Sequence, residues 1–259
     1  MQVVLLCGGL GTRFPEETEV KPKPMIEIGH KPILWHIMRI YSHFGHDQFV
    51  LCTGYKGNVI KEYFLNYHHF SKDLEIDLVN ASVTTLGNSD DVLPWKIRIQ
   101  DTGIDTQTGA RLKQAMRYVD DDIFLATYGD GVANVDINKL VAHHKASGKL
   151  ATVTAVRPSS RFGELGLKDD VVTSFQEKPQ TGQGWINGGF FVFSKSIFQS
   201  LPDDPKITLE EGVLRDLSKA RELGVYRHDG FWQCMDTLRE KKLLESYWQS
   251  GNVPWMLWG

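Results

Sequence analysis

Val3-Val4-Leu5-Leu6-Cys7 runs without a break into Gly8-Gly9-Leu10-Gly11-Thr12-Arg13. Consecutive apolar residues that stop at a glycine cluster read as a buried strand ending in a tight loop. Such a loop brings backbone N–H groups close to phosphate oxygens. Downstream stands Lys21-Pro22-Lys23-Pro24-Met25, so Arg13 and a lysine add positive charge at the same place. The combination points to the handling of a nucleoside triphosphate. Taken alone, the glycines also suit a plain strand-to-helix connection, and Lys-Pro-Lys-Pro suits a solvated loop. Their occurrence together favours the phosphate.

The loop fits neither of two familiar phosphate fingerprints. One requires Gly-x-x-x-x-Gly-Lys-Ser/Thr, and the other a glycine three residues beyond Gly11; Phe14 occupies the deciding position in both cases.

Outward from this loop, short apolar runs alternate with segments of helical period, the pattern of a mainly parallel sheet with crossover helices. Strands are expected at Gln2–Cys7, Gln48–Cys52, Leu74–Val79, Trp95–Gln100 and Ile123–Thr127. Helices are expected over Pro32–Phe44, Asn58–Phe70, Gly109–Val119 and Ile137–Lys145. After Gly148 the composition turns to strands, at Leu150–Val156, Val171–Phe175 and Gly189–Phe193. A helix over Leu209–Leu223, a short strand at Phe231–Met235 and a helix over Leu238–Ser250 follow. The fold class is α/β: a Rossmann-like mixed, mainly parallel sheet flanked by helices, with a small β-rich part. One domain, 1–259, is expected, with a nucleotide-binding half (1–148), a β-rich half (149–236) and a C-terminal helix and tail (237–259).

With 259 residues, 41% of them hydrophobic, the chain can bury the core of one large α/β domain. A net charge of −3 gives no support for a nucleic-acid partner, so a polyanion must be attracted by local Arg and Lys. Cys7, Cys52 and Cys234 lack metal spacing and suit small apolar residues in a reducing cytoplasm. No stretch approaches the roughly 18 apolar residues of a membrane helix, and no leader of signal type opens the chain. A cytoplasmic protein without a membrane partner is expected.

Asp130 is the clearest carboxylate. It follows the apolar strand Ile123–Thr127 in Tyr128-Gly129-Asp130-Gly131, where open α/β sheets place their ligands. Gly129 and Gly131 leave room for a metal–phosphate complex, and Mg2+ prefers one or two carboxylates with phosphate oxygens and water. An Asp-Gly turn is the commoner source of the dipeptide. Asp236, in Phe231-Trp232-Gln233-Cys234-Met235-Asp236-Thr237, suits either a second metal carboxylate or a helix cap, and spacing does not choose between them. In Asp101–Leu112, hydroxyls and amides near Thr106 and Gly109 could read a pyrimidine edge while Arg111 reaches base or phosphate. The adjacent pairs His68-His69 and His143-His144 diverge by about 100° on a helix, cannot share a metal, and read as surface or boundary residues. Trp248, Trp255 and Trp258 suit a satellite cluster or a subunit contact.

Gly-Gly-x-Gly-Thr-Arg followed by Lys23 resembles the signature of the sugar-nucleotidylyltransferase family, and the resemblance runs along nearly the whole chain. It implies that Leu6, Gly8, Gly9, Leu10, Gly11, Thr12, Arg13, Lys23, Thr106, Gly109, Arg111 and Gly129 form the nucleotide site. It selects Lys23 over Lys21, because the family's lysine stands directly before the Pro/Leu-Met-Ile-x-Ile segment. It gives Asp236 the role of second Mg2+ ligand beside Asp130, and Arg13 and Lys23 that of cations on the triphosphate. Gly163, Glu177, Lys178, Asn187 and Gly188 are the implied sugar-phosphate residues, with Lys178 as the lysine of Glu-Lys-Pro. Thr106-Gln107-Thr108-Gly109-Ala110-Arg111 departs from the family's usual Gln-x-x-Pro-x-Gly. With Val20–Gly29, Lys31–Met38, Trp185–Phe191 and Phe231-Trp232-Gln233, it resembles the members that join CTP and glucose 1-phosphate. A homo-oligomer is implied as well. UTP or dTTP, another hexose 1-phosphate, an NAD(P)-binding oxidoreductase and an inactive sugar-nucleotide-binding module are the alternatives.

Overall fold

The computed structural model describes residues 1–259 apart from 13, 88–92, 159–163, 169–170, 177–183, 200 and 259. Its central sheet has seven strands: β1 (Gln2–Cys7), β2 (Gln48–Thr53), β3 (Lys96–Asp101), β4 (Ile123–Tyr128), β5 (Ala151–Val156), β6 (Ile186–Ser194) and β7 (Leu223–His228). They lie in the order β7-β5-β6-β4-β1-β2-β3. Within it β6 is antiparallel to both neighbours, and the other pairings are parallel. The mixed, mainly parallel sheet expected from the sequence is the observed one.

β1 explains why its sequence shows no alternation. Every residue of the strand is buried. Val3, Leu5 and Cys7 enter one hydrophobic core, while Val4 and Leu6 enter a second core on the other face. A strand covered on both faces needs apolar residues at every position. Helix α1 (Ile33–His43) supplies Ile33, Ile37, Ile40 and Tyr41 to the first core, joined by Ile60 of α2 (Gly57–Leu65). Leu112 and Ala115 of α3 (Thr108–Ala115) belong to the second. Helix α4 (Ile137–Ser147) and helix α5 (Leu238–Gln249) return to the first, through Leu140 and Leu244.

Three elements differ from expectation. The helix expected over Asn58–Phe70 stops at Leu65, where the Asn66 side chain bonds the Glu62 carbonyl, and a short turn Tyr67–Phe70 follows. The strand expected at Leu74–Val79 is Asp73–Asp77, and it pairs only with Ser82–Leu86 in a separate hairpin. Leu78 and Val79 stand exposed at the hairpin tip. The helix expected over Leu209–Leu223 is a π-helical turn, Leu209–Leu214, then a short α-helix, Arg215–Lys219. Arg221 at φ +60° ends it, and β7 follows as the sheet edge. The β-rich part contains a further two-stranded sheet, Glu164–Lys168 against Val171–Gln176.

The C-terminal tryptophans join the first core instead of a separate satellite: Trp255 is a member of it, and Trp248 and Trp258 pack against it. Trp255 is fully buried, stacked on Phe231 and edge-on to His36, which also meets Trp248 and Trp258. His36 bonds the Ile28 carbonyl at 2.9 Å, and burial lowers its pKa to about 4. His144, expected at the surface or its boundary, is instead buried, bonded to Thr152 at 2.9 Å. Among the described residues no helix is long and apolar enough to cross a membrane.

Candidate active site at the carboxyl ends of β1 and β4

The chain lays β2 and β3 on one side of β1 and then crosses to place β4 on the other. The order reverses between β1 and β4, and ligands of open α/β sheets bind outside the strand ends at such a point. Gly8 follows β1 there, and Gly129-Asp130 follows β4. A cavity of about 990 Å³ opens over them. Leu6, Gly8, Gly9, Leu10, Gly11, Thr12, Lys23, Thr106, Arg111, Gly129, Asp130 and Asp236 all line it.

The glycine loop is shaped by its surroundings. Gly11 adopts φ +68°, and its carbonyl accepts from the Phe14 N–H at 2.9 Å. Phe14, the residue that breaks both phosphate fingerprints, is fully buried in the first core and anchors the end of the loop. A Cβ on Gly8 would lie 2.1 Å from Nη1 of Arg111, so no larger residue fits beneath that guanidinium.

Arg111 is expected from the sequence to reach base or phosphate; it lines the cavity, and its guanidinium is bonded to the protein there. It is 3% exposed. Its guanidinium donates to the carbonyls of Thr53 (2.9 Å), Gly8 (3.0 Å) and Ile104 (3.3 Å), and to the Thr102 hydroxyl. It therefore ties together the ends of β1, β2 and β3, and its donors face protein oxygens. Gly109 is buried and, unlike Arg111, does not line the cavity. A Cβ there would meet the Thr208 carbonyl at 2.8 Å, so the glycine lets the segment 207–208 lie on the start of α3.

Asp130 and Asp236 are brought together by a small antiparallel pairing. Gly131–Ala133 pairs with Trp232–Cys234, and the Met235 N–H donates to the Asp130 carbonyl at 2.9 Å. The cap of α5 is Thr237, in a capping box with Glu240. Asp236 is thus not the cap residue, which removes the competing reading of its carboxylate. Lys23 Nζ lies 2.6 Å from Asp130 Oδ2 and also bonds Asp236 Oδ1. Burial alone would lower the Lys23 pKa, but the two carboxylates outweigh it and raise it, so the lysine is a fixed cation. Lys21 pairs with Glu27 at 2.9 Å, away from this cluster.

Asn187 and Gly188 lie at the start of β6, beside the cavity wall rather than in its lining. Asn187 reaches the Tyr128 hydroxyl at 3.2 Å, and the Gly188 carbonyl accepts from Trp232 Nε1 at 2.8 Å. Arg13, Gly163, Glu177 and Lys178 lie outside the described residues. Sequence reasoning passes over Tyr128, Lys206 and Thr208, which also line the cavity. Tyr128 carries a signal, since it precedes Gly129-Asp130 at a strand end. Lys206 and Thr208 arrive from a distant segment and carry none.

The sequence model of the nucleotidyl transferase family matches residues 2–236. The chain belongs to that family. This nucleotidyl transferase is 49% identical, over the full length of both chains, to the glucose-1-phosphate cytidylyltransferase of Salmonella typhimurium. It is 29% identical to the D-glycero-alpha-D-manno-heptose 1-phosphate guanylyltransferase of Campylobacter jejuni, over 85% of this chain and 88% of that one. Its fold matches the crystal structure of HddC from Yersinia pseudotuberculosis with a TM-score of 0.69 at 23% identity, covering 95% of this chain and 99% of that one. Membership sets aside the dinucleotide-dependent oxidoreductase.

Proposed function

We propose that this nucleotidyl transferase moves the cytidylyl group of CTP to α-D-glucose 1-phosphate, giving CDP-glucose and pyrophosphate, with Mg2+ as cofactor. The observation that carries the reading is the convergence of Lys23, Asp130 and Asp236 beside a glycine loop at the sheet's reversal point. The 49% identity to the Salmonella cytidylyltransferase supports the choice of base and sugar.

In this reaction a phosphate oxygen of the sugar 1-phosphate attacks the α-phosphorus of CTP. The bond from that phosphorus to the bridging oxygen breaks, and pyrophosphate leaves with the oxygen. No covalent enzyme intermediate is needed, because the sugar phosphate is already a nucleophile at neutral pH. Catalysis of this kind rests on positioning and on stabilising developing charge. Backbone N–H groups of Gly8–Thr12 hold the triphosphate, with Leu6 and Gly129 beneath it and Thr106 on the base side. Lys23 and Arg13 balance the charge on departing pyrophosphate. Lys178 orients the sugar phosphate, and Gly163, Glu177, Asn187 and Gly188 serve the sugar. The roles of Arg13, Gly163, Glu177 and Lys178 rest on the family resemblance.

Asp130 and Asp236 fit a divalent cation. Their oxygens already converge on one ammonium, and hard carboxylate donors beside an open cavity suit an ion that keeps water and phosphate in its shell. Held there, Mg2+ would neutralise triphosphate charge and polarise the α-phosphorus. The halves 1–148 and 149–236 serve the nucleotide and the sugar phosphate respectively, with 237–259 as C-terminal helix and tail. Three free cysteines are consistent with a cytoplasmic setting.

The test is pyrophosphate release with glucose 1-phosphate and Mg2+, run in parallel with CTP, UTP, dTTP, ATP and GTP. CTP is expected to be preferred over UTP by about a hundredfold or more, since a site built to hydrogen-bond one base edge rejects the other. Equal or better rates with UTP or dTTP would overturn the base, and silence with all five would support the inactive module.

A homo-oligomer belongs to the same reading. Supporting it, Ile76 and Val83 are paired and exposed on one face of the separate hairpin, with Leu78 and Val79 exposed at its tip, apolar surface of the kind that marks a contact. Light scattering at micromolar concentration should return a multiple of the 29.4 kDa chain. A monomer would dispose of the idea.

A further inference from the structure

A connected row of polar side chains crosses the cavity wall between the base-side and sugar-side segments. The Tyr128 hydroxyl donates to Glu210 Oε1 at 2.5 Å, and the Thr108 hydroxyl donates to Glu210 Oε2 at 3.0 Å. Asn187 Nδ2 donates to the Tyr128 oxygen at 3.2 Å, and Asn187 Oδ1 accepts from the Gly189 N–H at 2.9 Å. Four separate elements contribute: the end of β4, the start of α3, the start of β6, and the π-helical turn Leu209–Leu214 that carries Glu210.

Two backbone features make the row. Turns of π-helix are rare and concentrate at functional sites. This one begins at a Thr208 cap and lies against α3, where the N–H groups of Gln107 and Ala110 bond the carbonyls of Pro205 and Ile207. Gly189 adopts φ +81°, and a Cβ there would come within 2.6 Å of the Tyr128 ring. The glycine is what allows the ring to stand between Asn187 and Glu210.

We infer that Glu210 is a positioning residue that sets the direction of hydrogen bonding from Tyr128 to Asn187, and so fixes a hydrogen-bond donor toward the sugar. An ionised carboxylate can only accept. The phenol must therefore donate to Glu210, as the 2.5 Å contact shows. A phenol oxygen whose hydrogen is committed offers Asn187 only a lone pair. Asn187 answers with its amide N–H, which turns its carbonyl to Gly189 and leaves its second amide hydrogen for a ligand oxygen. The inference rests on the proposed function in placing a sugar 1-phosphate beside Asn187.

Glu210→Gln tests the direction without changing the shape. With its carbonyl on Thr108, the substituted amide faces Tyr128 with an N–H donor; Tyr128→Phe, which removes the hydroxyl outright, covers the flipped amide. The phenol then meets a donor where its acceptor stood, turns its hydrogen to Asn187, and the asparagine amide flips. The expected result is a KM for the sugar 1-phosphate raised about tenfold, the loss of roughly one net hydrogen bond, with kcat and calorimetric CTP affinity within twofold. Tyr128→Phe should raise the same KM, and the double variant should add less than twofold to either, because both act on one path. A sugar KM unchanged in both Glu210→Gln and Tyr128→Phe would overturn the relay. So would an equal loss of CTP affinity, which would assign the row to the nucleotide loop. The wild-type chain is measured first against a panel of sugar 1-phosphates and the best one is used. A wrong sugar in the functional reading then leaves the relay test intact, while no turnover with any of them overturns both.

Discussion

Asp130→Asn is expected to lower turnover by about a thousandfold or more, with little change in the melting temperature. The substitution keeps the shape of the side chain and removes its charge. Asp130 and Asp236 together face Lys23 across a contact that, on the proposed reading, is also the position of the divalent cation. With one carboxylate neutral, a divalent ion loses half of its fixed anionic ligands and Lys23 loses one partner. Metal and cationic stabilisation of a transferring phosphorus is worth several kcal/mol, and about 4 kcal/mol corresponds to a thousandfold. Asp236→Asn should behave alike, because the α5 cap belongs to Thr237 and survives the change. Initial rates over a magnesium titration measure both. Turnover within a few-fold of wild type for either variant would mean that the pair does not hold the metal.

The second large effect is on stability. Arg111→Ala should cost about 3–5 kcal/mol, the range for leaving buried partners of a charged group without it. Four protein oxygens lose a donor at once, and they belong to the ends of three neighbouring strands and the loop beyond. Arg111→Lys should recover little, since a single ammonium cannot reproduce a planar fork across those acceptors. Denaturant midpoints give the stability, and CTP calorimetry gives the consequence for the glycine loop, whose Gly8 carbonyl is one of the four. A stable Arg111→Ala protein with only weakened CTP binding would restore the guanidinium to the ligand, as the sequence suggests.

Arg111 also shows where sequence reading stops. Its neighbours Thr106 and Gly109 suggest a ligand-facing helix start, and nothing local says that the guanidinium bridges 103 positions to Gly8. The glycine loop and the β4 terminus are legible because both are continuous stretches whose burial and turn chemistry are written in adjacent residues. The choice of Lys23 over Lys21 comes from resemblance, and the geometry separates them by partner. Asp236 is ambiguous between ligand and cap until the capping box at Thr237 is seen. The π-helical turn that carries Glu210 and the start of the edge strand β7 read from sequence as one helix. Leu209–Leu223 has enough apolar residues at helical spacing, and the positive φ at Arg221 leaves no trace in composition.

Lys23 and Asp236 meet across 213 positions, through a strand pairing that only the last quarter of the chain can complete. During synthesis the glycine loop leaves the ribosome first, long before its partner carboxylate has been translated. On the proposed reading, a chain halted before residue 236 lacks the second carboxylate of the cluster and cannot turn over a triphosphate. Prematurely terminated products are then chemically silent, and activity becomes a report that translation has passed that residue.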